Sequence, residues 1–177
     1  MTIIVYGDKN DHSFIDVLFK VLARYGGVQL FSKDNLIYSS KTSEPKFFIY
    51  ELDKLPSLID CEGLFIFKKS FEKLNKFPEK FLPIVNEQNL NAIKSLEFTD
   101  QIVMTCGTSA KNTLSFSSIS YTEAVVVLQR YLQTKNSVIE PHEFSIKLLT
   151  SCDHNILLQI CAILLLSDIP TTNGYEI

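Results

Sequence analysis

Short apolar runs, each too brief for a helix and each followed by a polar or amphipathic stretch, limit this chain more than any other feature. "TIIVY" (2–6) is the first, and "KFFIYEL" (46–52), "GLFIFKK" (63–69), "FLPIVNE" (81–87) and "QIVMTCG" (101–107) repeat the pattern. A strand covered on both faces reads as such a run, because helices lie over both sides of its sheet. After the first run, Phe14, Val17, Leu18, Val21, Leu22 and Tyr25 form one helical stripe. Asp11 or Ser13 can cap its start, and Gly26-Gly27 ends it. "VQLF" (28–31) and "LIYSS" (36–40) read as short strands or a hairpin. "SFEKLNKF" predicts a short charged helix before Pro78, and "QNLNAIKSLEF" (88–98) a longer one. The fold class that follows is α/β, a mostly parallel sheet flanked by helices.

Beyond Gly107 the pattern changes. "NTLSFSSISY", "AVVVLQRYLQT" and "EFSIKLL" are rich in Val, Ile, Tyr, Phe and Thr, and predict a smaller antiparallel strand set near 113–149. "KNS" (135–137) supplies a turn between the last two. "EAVVVLQRYLQ" (123–133) reads equally as strand or helix. A helix from about Asp153 to Leu166 closes the chain, with "SDIPTTNGYEI" as a tail. There is no internal repeat and no low-complexity linker, so residues 1–177 are expected to form a single domain.

A chain of 177 residues can build one sizeable core. With a net charge of −3 and no stretch of Lys and Arg interleaved with aromatics, nucleic acid is not an expected partner. Lys68-Lys69 reads as a pair of solvated loop ends. The most apolar segment, "ILLQICAILLL" (156–166), is well short of the ~20 residues a spanning helix needs, so membrane insertion is not expected either. The start "MTIIVYGDKN" has no export signal, and Cys61, Cys106, Cys152 and Cys161 contain no CxxC pair. Reduced thiols, no zinc and a cytoplasmic location are the expectation.

Chemistry is suggested first by "VYGDKNDHSF" (5–14): strand, glycine, polar loop, helix start, the layout of a phosphate-binding loop. Three further landmarks follow in order. They are a strand ending in glutamate ("FFIYEL"), a strand–helix–strand ("LPIVNEQNLNAIKSLEFTDQIVMTCG") and a strand leading to His-Asn at the head of an apolar helix ("FSIKLLTSCDHNILLQICAILLLSDIP"). Together they resemble the central, ATP-binding domain of the Mur ligases and folylpolyglutamate synthetases, over nearly the whole chain. The resemblance implies a P-loop NTPase-like sheet, and the absence of the two domains that flank it in the family.

The departures concern charge. The family's loop reads TGTxGK[ST][ST], with a lysine on the phosphates and a hydroxyl on magnesium. Here Gly7 keeps the first glycine, Asn10 stands at the second, Asp11 replaces the lysine, and His12-Ser13 follow. A carboxylate for a cation reverses a term of about 4 kcal/mol per charge pair at ~4 Å and an effective dielectric of about 20. Lys9 is in the loop but at a different position. Glu51 matches the magnesium-binding glutamate of the resemblance; from the residues alone it reads as a solvated strand end. "IFKKSFEKL" lacks the family's Asn and Asp-His. Asn86 reads as a turn-maker. His154-Asn155 match the family's adenine-contacting pair, and equally fit the first turn of a helix capped by Asp153.

Other groupings are weaker. Cys152 with His154, and His142 with Glu143, have no visible orienting group or oxyanion site. "CGTSAKNT" (106–113) has a Gly-rich look but precedes strand-like residues, and reads as a polar turn. The functional expectation is a non-catalytic, degenerate relative of the Mur ligase central domain: a pseudoenzyme without cofactor that acts as a binding or scaffolding module. A protein partner or self-association is expected, and the association with cell-envelope metabolism is carried by the resemblance alone. The alternative is a nucleotide or phosphate-ligand sensor or enzyme. It would use Lys9, His12, Ser13 and Glu51 around an altered Gly7 loop, and only there would ATP and magnesium enter.

Overall fold

The computed structural model describes residues 1–32, 44–56, 59–97, 99–149 and 152–177, and the backbone alone of 35–39. Ser40 and Phe98, the ends of two expected elements, lie outside the described residues. The chain divides into two compact units, Met1–Val85 with Asn89–Val103, and Asn86–Gln88 with Met104–Ile177.

The first unit holds β1 (Thr2–Tyr6), α1 (Ser13–Tyr25), β2 (Gly27–Ser32), β3 (Asn35–Ser39), β4 (Pro45–Leu52), β5 (Gly63–Phe67), β6 (Phe81–Asn86, its last residue counted with the second unit) and α2 (Leu90–Leu96). Its strands follow the order β6-β5-β1-β4-β2-β3, parallel except for the β2–β3 pair. Alternation separates the faces. Ile4, Tyr6, Phe65, Phe67, Phe81 and Val85 join Phe77 and the α2 residues Ala92 and Leu96 in one aromatic-rich core. Ile3, Val5, Val28, Leu30, Phe47, Ile49, Leu64 and Ile66 are buried on the other face. Helix α1 buries the expected stripe, Phe14, Ile15, Leu18, Val21 and Leu22, and packs against β2.

The second unit contains β7 (Met104–Cys106), β8 (Leu114–Ile119), β9 (Glu123–Leu128), β10 (Leu132–Gln133), β11 (Val138–Ile139), β12 (His142–Lys147), α3 (His154–Leu166) and β13 (Tyr175–Glu176). The pairs β8–β9 and β9–β12 are antiparallel, as the composition of 113–149 implies. The segment left open between strand and helix is strand: β9 ends at Leu128, and the expected turn at 135–137 closes the small β10–β11 hairpin, with the Thr134 N–H donating to the Ser137 carbonyl at 2.9 Å. Helix α3 is buried on every side from Leu157 to Leu166, which is why it carries no polar face. Among the described residues no helix is long and apolar enough to cross a membrane.

Two expectations need correction. Residues 70–77 form no helix. The Ser70 carbonyl accepts the Asp8 N–H at 2.8 Å and the Glu72 carbonyl accepts the Tyr6 hydroxyl at 3.1 Å, so acceptors a helix would use internally serve β1 and the loop that follows it. Phe71, Leu74 and Phe77 meanwhile pack on the aromatic core. The tail is also part of the structure. β13 pairs in parallel with β12, Tyr175 is 1% exposed, and its hydroxyl donates to the Ile169 carbonyl at 2.7 Å. Two residues of strand leave no periodicity to read. Truncating a buried aromatic side chain removes both contacts and transfer energy, so Tyr175→Ala is expected to lose about 3–5 kcal/mol in chemical denaturation.

Candidate functional site

At the C-terminal ends of four neighbouring strands, in the order β5, β1, β4, β2, stand Lys68, Gly7, Glu51 and Ser32. Each is the next step of the alternation that buries Ile66, Val5, Ile49 and Leu30, so all four fall on one face. Strands lie ~4.8 Å apart, which leaves β5 and β4 about twice that distance from each other. Lys68 spans the gap because Gly7 has no side chain. A Cβ there would run into the Ser70 carbonyl and come within 2.7 Å of Lys68 Cβ, and the φ of +145° already favours glycine.

The Lys68 ammonium donates to Glu51 Oε1 at 2.6 Å and to the Asp8 carbonyl at 2.8 Å. Ser32 Oγ donates to the other Glu51 oxygen. His12 Nδ1 is 3.5 Å from Glu51 Oε1, its side chain 56% exposed. Glu51 and Lys68 are only 6% and 3% exposed. Both were expected as solvated ends, Glu51 of a strand and Lys68 of a loop. The structure corrects both, because each charge finds its counter-charge inside the fold, which is the condition for burying it. Burial alone would raise the Glu51 carboxyl, but hydrogen bonds from Lys68 and Ser32 and the Lys68 and His12 charges outweigh it and hold it below its ordinary value.

The loop is tied from within as well. Asp8 Oδ1 accepts the Asn10 N–H at 2.9 Å, an Asx-type turn. Asp11 Oδ1 accepts the Ser13 hydroxyl at 2.5 Å and the Ser13 N–H at 3.1 Å. His12 occupies the N-cap of α1 without a side-chain cap bond, so the capping carboxylate comes from Asp11. The Ser13 hydrogen bonds, with Lys68 and Lys69 adding their charges, lower the Asp11 carboxyl against a smaller opposing effect of burial. Of the expected site residues, Gly7, Asp11, His12, Ser13 and Glu51 gather around this loop, and Lys9 stands exposed on it. Lys68 was missed. Its signal was present in the strand parity of "GLFIFKK" but is readable only once β5 is known to lie two places from β4.

His154 and Asn155 belong to the second unit. Asp153 caps α3 by accepting the Asn155 N–H at 2.8 Å, and the Asn155 amide donates to Gln88 Oε1 at 3.1 Å. The exposed His154 ring lies 5.9 Å from Phe116. The 107–112 turn is arranged around a carboxylate. Glu87 accepts the Thr108 N–H at 2.6 Å, the Thr108 hydroxyl at 2.9 Å and the Asn112 amide at 2.5 Å. A Cβ on Gly107 would overlap that carboxyl group. Asn86 makes the expected turn, its Oδ1 accepting the Gln88 N–H at 2.8 Å, while its Nδ2 is the one buried side-chain donor without a partner among the described residues. His142 is held on both sides: Nδ1 donates to the Glu140 carbonyl at 2.7 Å, and Nε2 lies 2.9 Å from Thr171 Oγ1. Burial and the Asp153 charge push the Cys152 thiol up, away from a reactive thiolate. Among the described residues no group of three or more His, Cys, Asp and Glu could hold a metal ion.

No family model matches the sequence, and no curated protein matches it. Among solved structures, a UDP-N-acetylmuramoyl-L-alanyl-D-glutamate–2,6-diaminopimelate ligase aligns over 94% of this chain and 42% of its own, at 7% identity and a TM-score of 0.48. A murein peptide ligase from Psychrobacter arcticus 273-4 aligns over 97% of this chain and 44% of its own, at 10% identity and a TM-score of 0.45. The chain therefore spans less than half the length of either protein. Likeness this distant carries no argument about chemistry, which rests on the residues themselves.

Removing one member of a buried pair strands the other charge, so Lys68→Met and Glu51→Gln are each expected to cost about 3–5 kcal/mol. The double variant should cost clearly less than the sum, which urea denaturation of the four proteins will read as a coupling energy. The pH dependence has a defined sign. A carboxyl lowered in the folded state stabilises fully above its ordinary value of about 4.3, and that contribution fades as pH falls through the lowered value. The stability advantage of the natural protein over Glu51→Gln should therefore shrink in acid, as thermal unfolding across that range would show.

Proposed function

We propose that this chain is a non-catalytic binding or scaffolding module built on a degenerate phosphate-loop layout. The observation that carries the reading is the position of Asp11. The first amides of a helix are where such a loop receives a phosphate. Here the Asp11 carboxylate already accepts the N–H and the hydroxyl of Ser13, the first residue of α1. An incoming polyphosphate would meet a negative charge at that seat and would have to displace it. The residues present do not fit ATP with magnesium, and no reaction step is assigned to them.

A partner in place of a small ligand is supported by exposed apolar side chains. Ile119 and Tyr121 stand out from the turn joining β8 and β9, 38% and 102% exposed. The partner is a protein or a second copy of the chain, and a place in cell-envelope metabolism belongs to the ligase resemblance. One observation favours the other reading, a nucleotide or phosphate-ligand sensor or enzyme. Lys9 and His12 are exposed on the loop, with Ser13 and Glu51 beside them.

Calorimetric titration with ATP and ADP, with and without magnesium, separates the two. No heat up to millimolar nucleotide is expected. Micromolar binding that is lost in Glu51→Ala would replace the scaffold reading with the sensor.

A further inference from the structure

We infer that the Lys68 side chain is the resident cation of an oxygen-lined seat at the strand ends, held there in place of a dissociable metal ion. The ligand class of that seat is a hard cation, and the protein supplies it covalently.

The seat is described by its oxygens. Glu51 Oε1 and the Asp8 carbonyl lie 2.6 and 2.8 Å from Nζ, and the second Glu51 oxygen is fixed by the Ser32 hydroxyl. A carboxylate with a backbone carbonyl is a donor set that hard cations take, and the nearest imidazole nitrogen, His12 Nδ1, stands 3.5 Å from Glu51 Oε1 on the exposed side. Glu51 at the end of β4 and Asp11 in the loop both feel the Lys68 charge. Without that ammonium the buried Glu51 carboxylate would lose its nearest counter-charge. A cation on a short tether also acts at an effective concentration that free ions in solution do not reach. The Lys68 side chain is itself fully enclosed, at 0% exposure, so a divalent ion can enter only by expelling it. Gly7 completes the device, because any side chain there would block the path of the lysine.

This inference deepens the scaffold reading and rests on it, but it is tested with metal alone. A nucleotide that bound without metal would overturn the scaffold reading and leave the tethered cation standing. The probe is manganese(II), followed by electron paramagnetic resonance of the free ion and by paramagnetic broadening of backbone amide signals. The natural protein should take up none at the loop, with the Asp8, Ser32 and Glu51 amides unbroadened at millimolar metal. Lys68→Ala should gain manganese binding and a metal-dependent rise in Tm, and adding Glu51→Gln should abolish both. If Lys68→Ala is unfolded without metal, saturating manganese should refold it, because binding to a native seat is coupled to folding. The proposal is overturned by broadening of those amides in the natural protein. It is equally overturned by a folded Lys68→Ala that binds no manganese, or by an unfolded one that metal does not rescue.

Discussion

A lysine that crosses over a glycine to reach a glutamate two strands away is the contact on which the first unit's loop depends. Lys68 leaves the end of β5, passes Gly7 at the end of β1 and meets Glu51 at the end of β4. The same ammonium holds the Asp8 carbonyl, so the first residue of the loop is fixed by the pair that closes it. Backbone bonds complete the anchorage: the Gly7 N–H donates to the Leu52 carbonyl at 2.9 Å, and the Lys68 N–H to the Tyr6 carbonyl at 2.8 Å. Burying two charges is unfavourable in itself, and the pair persists because each charge satisfies the other with short hydrogen bonds. A change at Lys68 or Glu51 leaves the other to bear that cost, and a side chain at Gly7 would separate the pair.

Self-sufficiency of charge recurs in both units. In the first, Asp11 takes the opening amide of α1 and Lys68 takes the carboxylate that faces the loop. In the second, the amide and hydroxyl of Thr108 and the amide of Asn112 converge on Glu87. Hydrogen bonds and charges from these partners hold the Glu51, Asp11 and Glu87 carboxyls below their ordinary values. Loops whose donors and acceptors are matched internally are rigid features of a fold. Loops that await a ligand leave such groups open, and the Asn86 amide is the described exception in this chain.

How much of this was legible in sequence depended on which physical signal carried it. Continuous apolar runs marked β1, β4, β5 and β6, and the stripe from Phe14 to Leu22 marked α1, because both patterns are local. The Asp153 cap of α3 was readable for the same reason. The charged stretch "SFEKLNKF" looked helical because its phenylalanines and leucine fit a helical period. Their attachment to Tyr6, Phe65 and Phe67 is set by distant residues and has no local trace. Glu51 and Lys68 were read as solvated for a related reason. A charge at a strand end is normally wet, and only the strand order β5-β1-β4 shows that the two are close enough to pair. Asp11 was visible both as a charge reversal and as one of two candidate caps of α1, and the loop's geometry selects it over Ser13.

The measurement that tests the central claim most directly is hydrogen exchange of lysine ammonium groups by NMR, on protein labelled with nitrogen-15 at lysine. Lys73, an exposed lysine of the same unit, serves as an internal reference. The account predicts a Lys68 ammonium signal that persists at neutral pH with strongly slowed exchange, and that vanishes into fast exchange in Glu51→Gln. A Lys68 signal exchanging as fast as that of Lys73 in the natural protein would contradict it, because the lysine would then be in water and the loop without its internal cation.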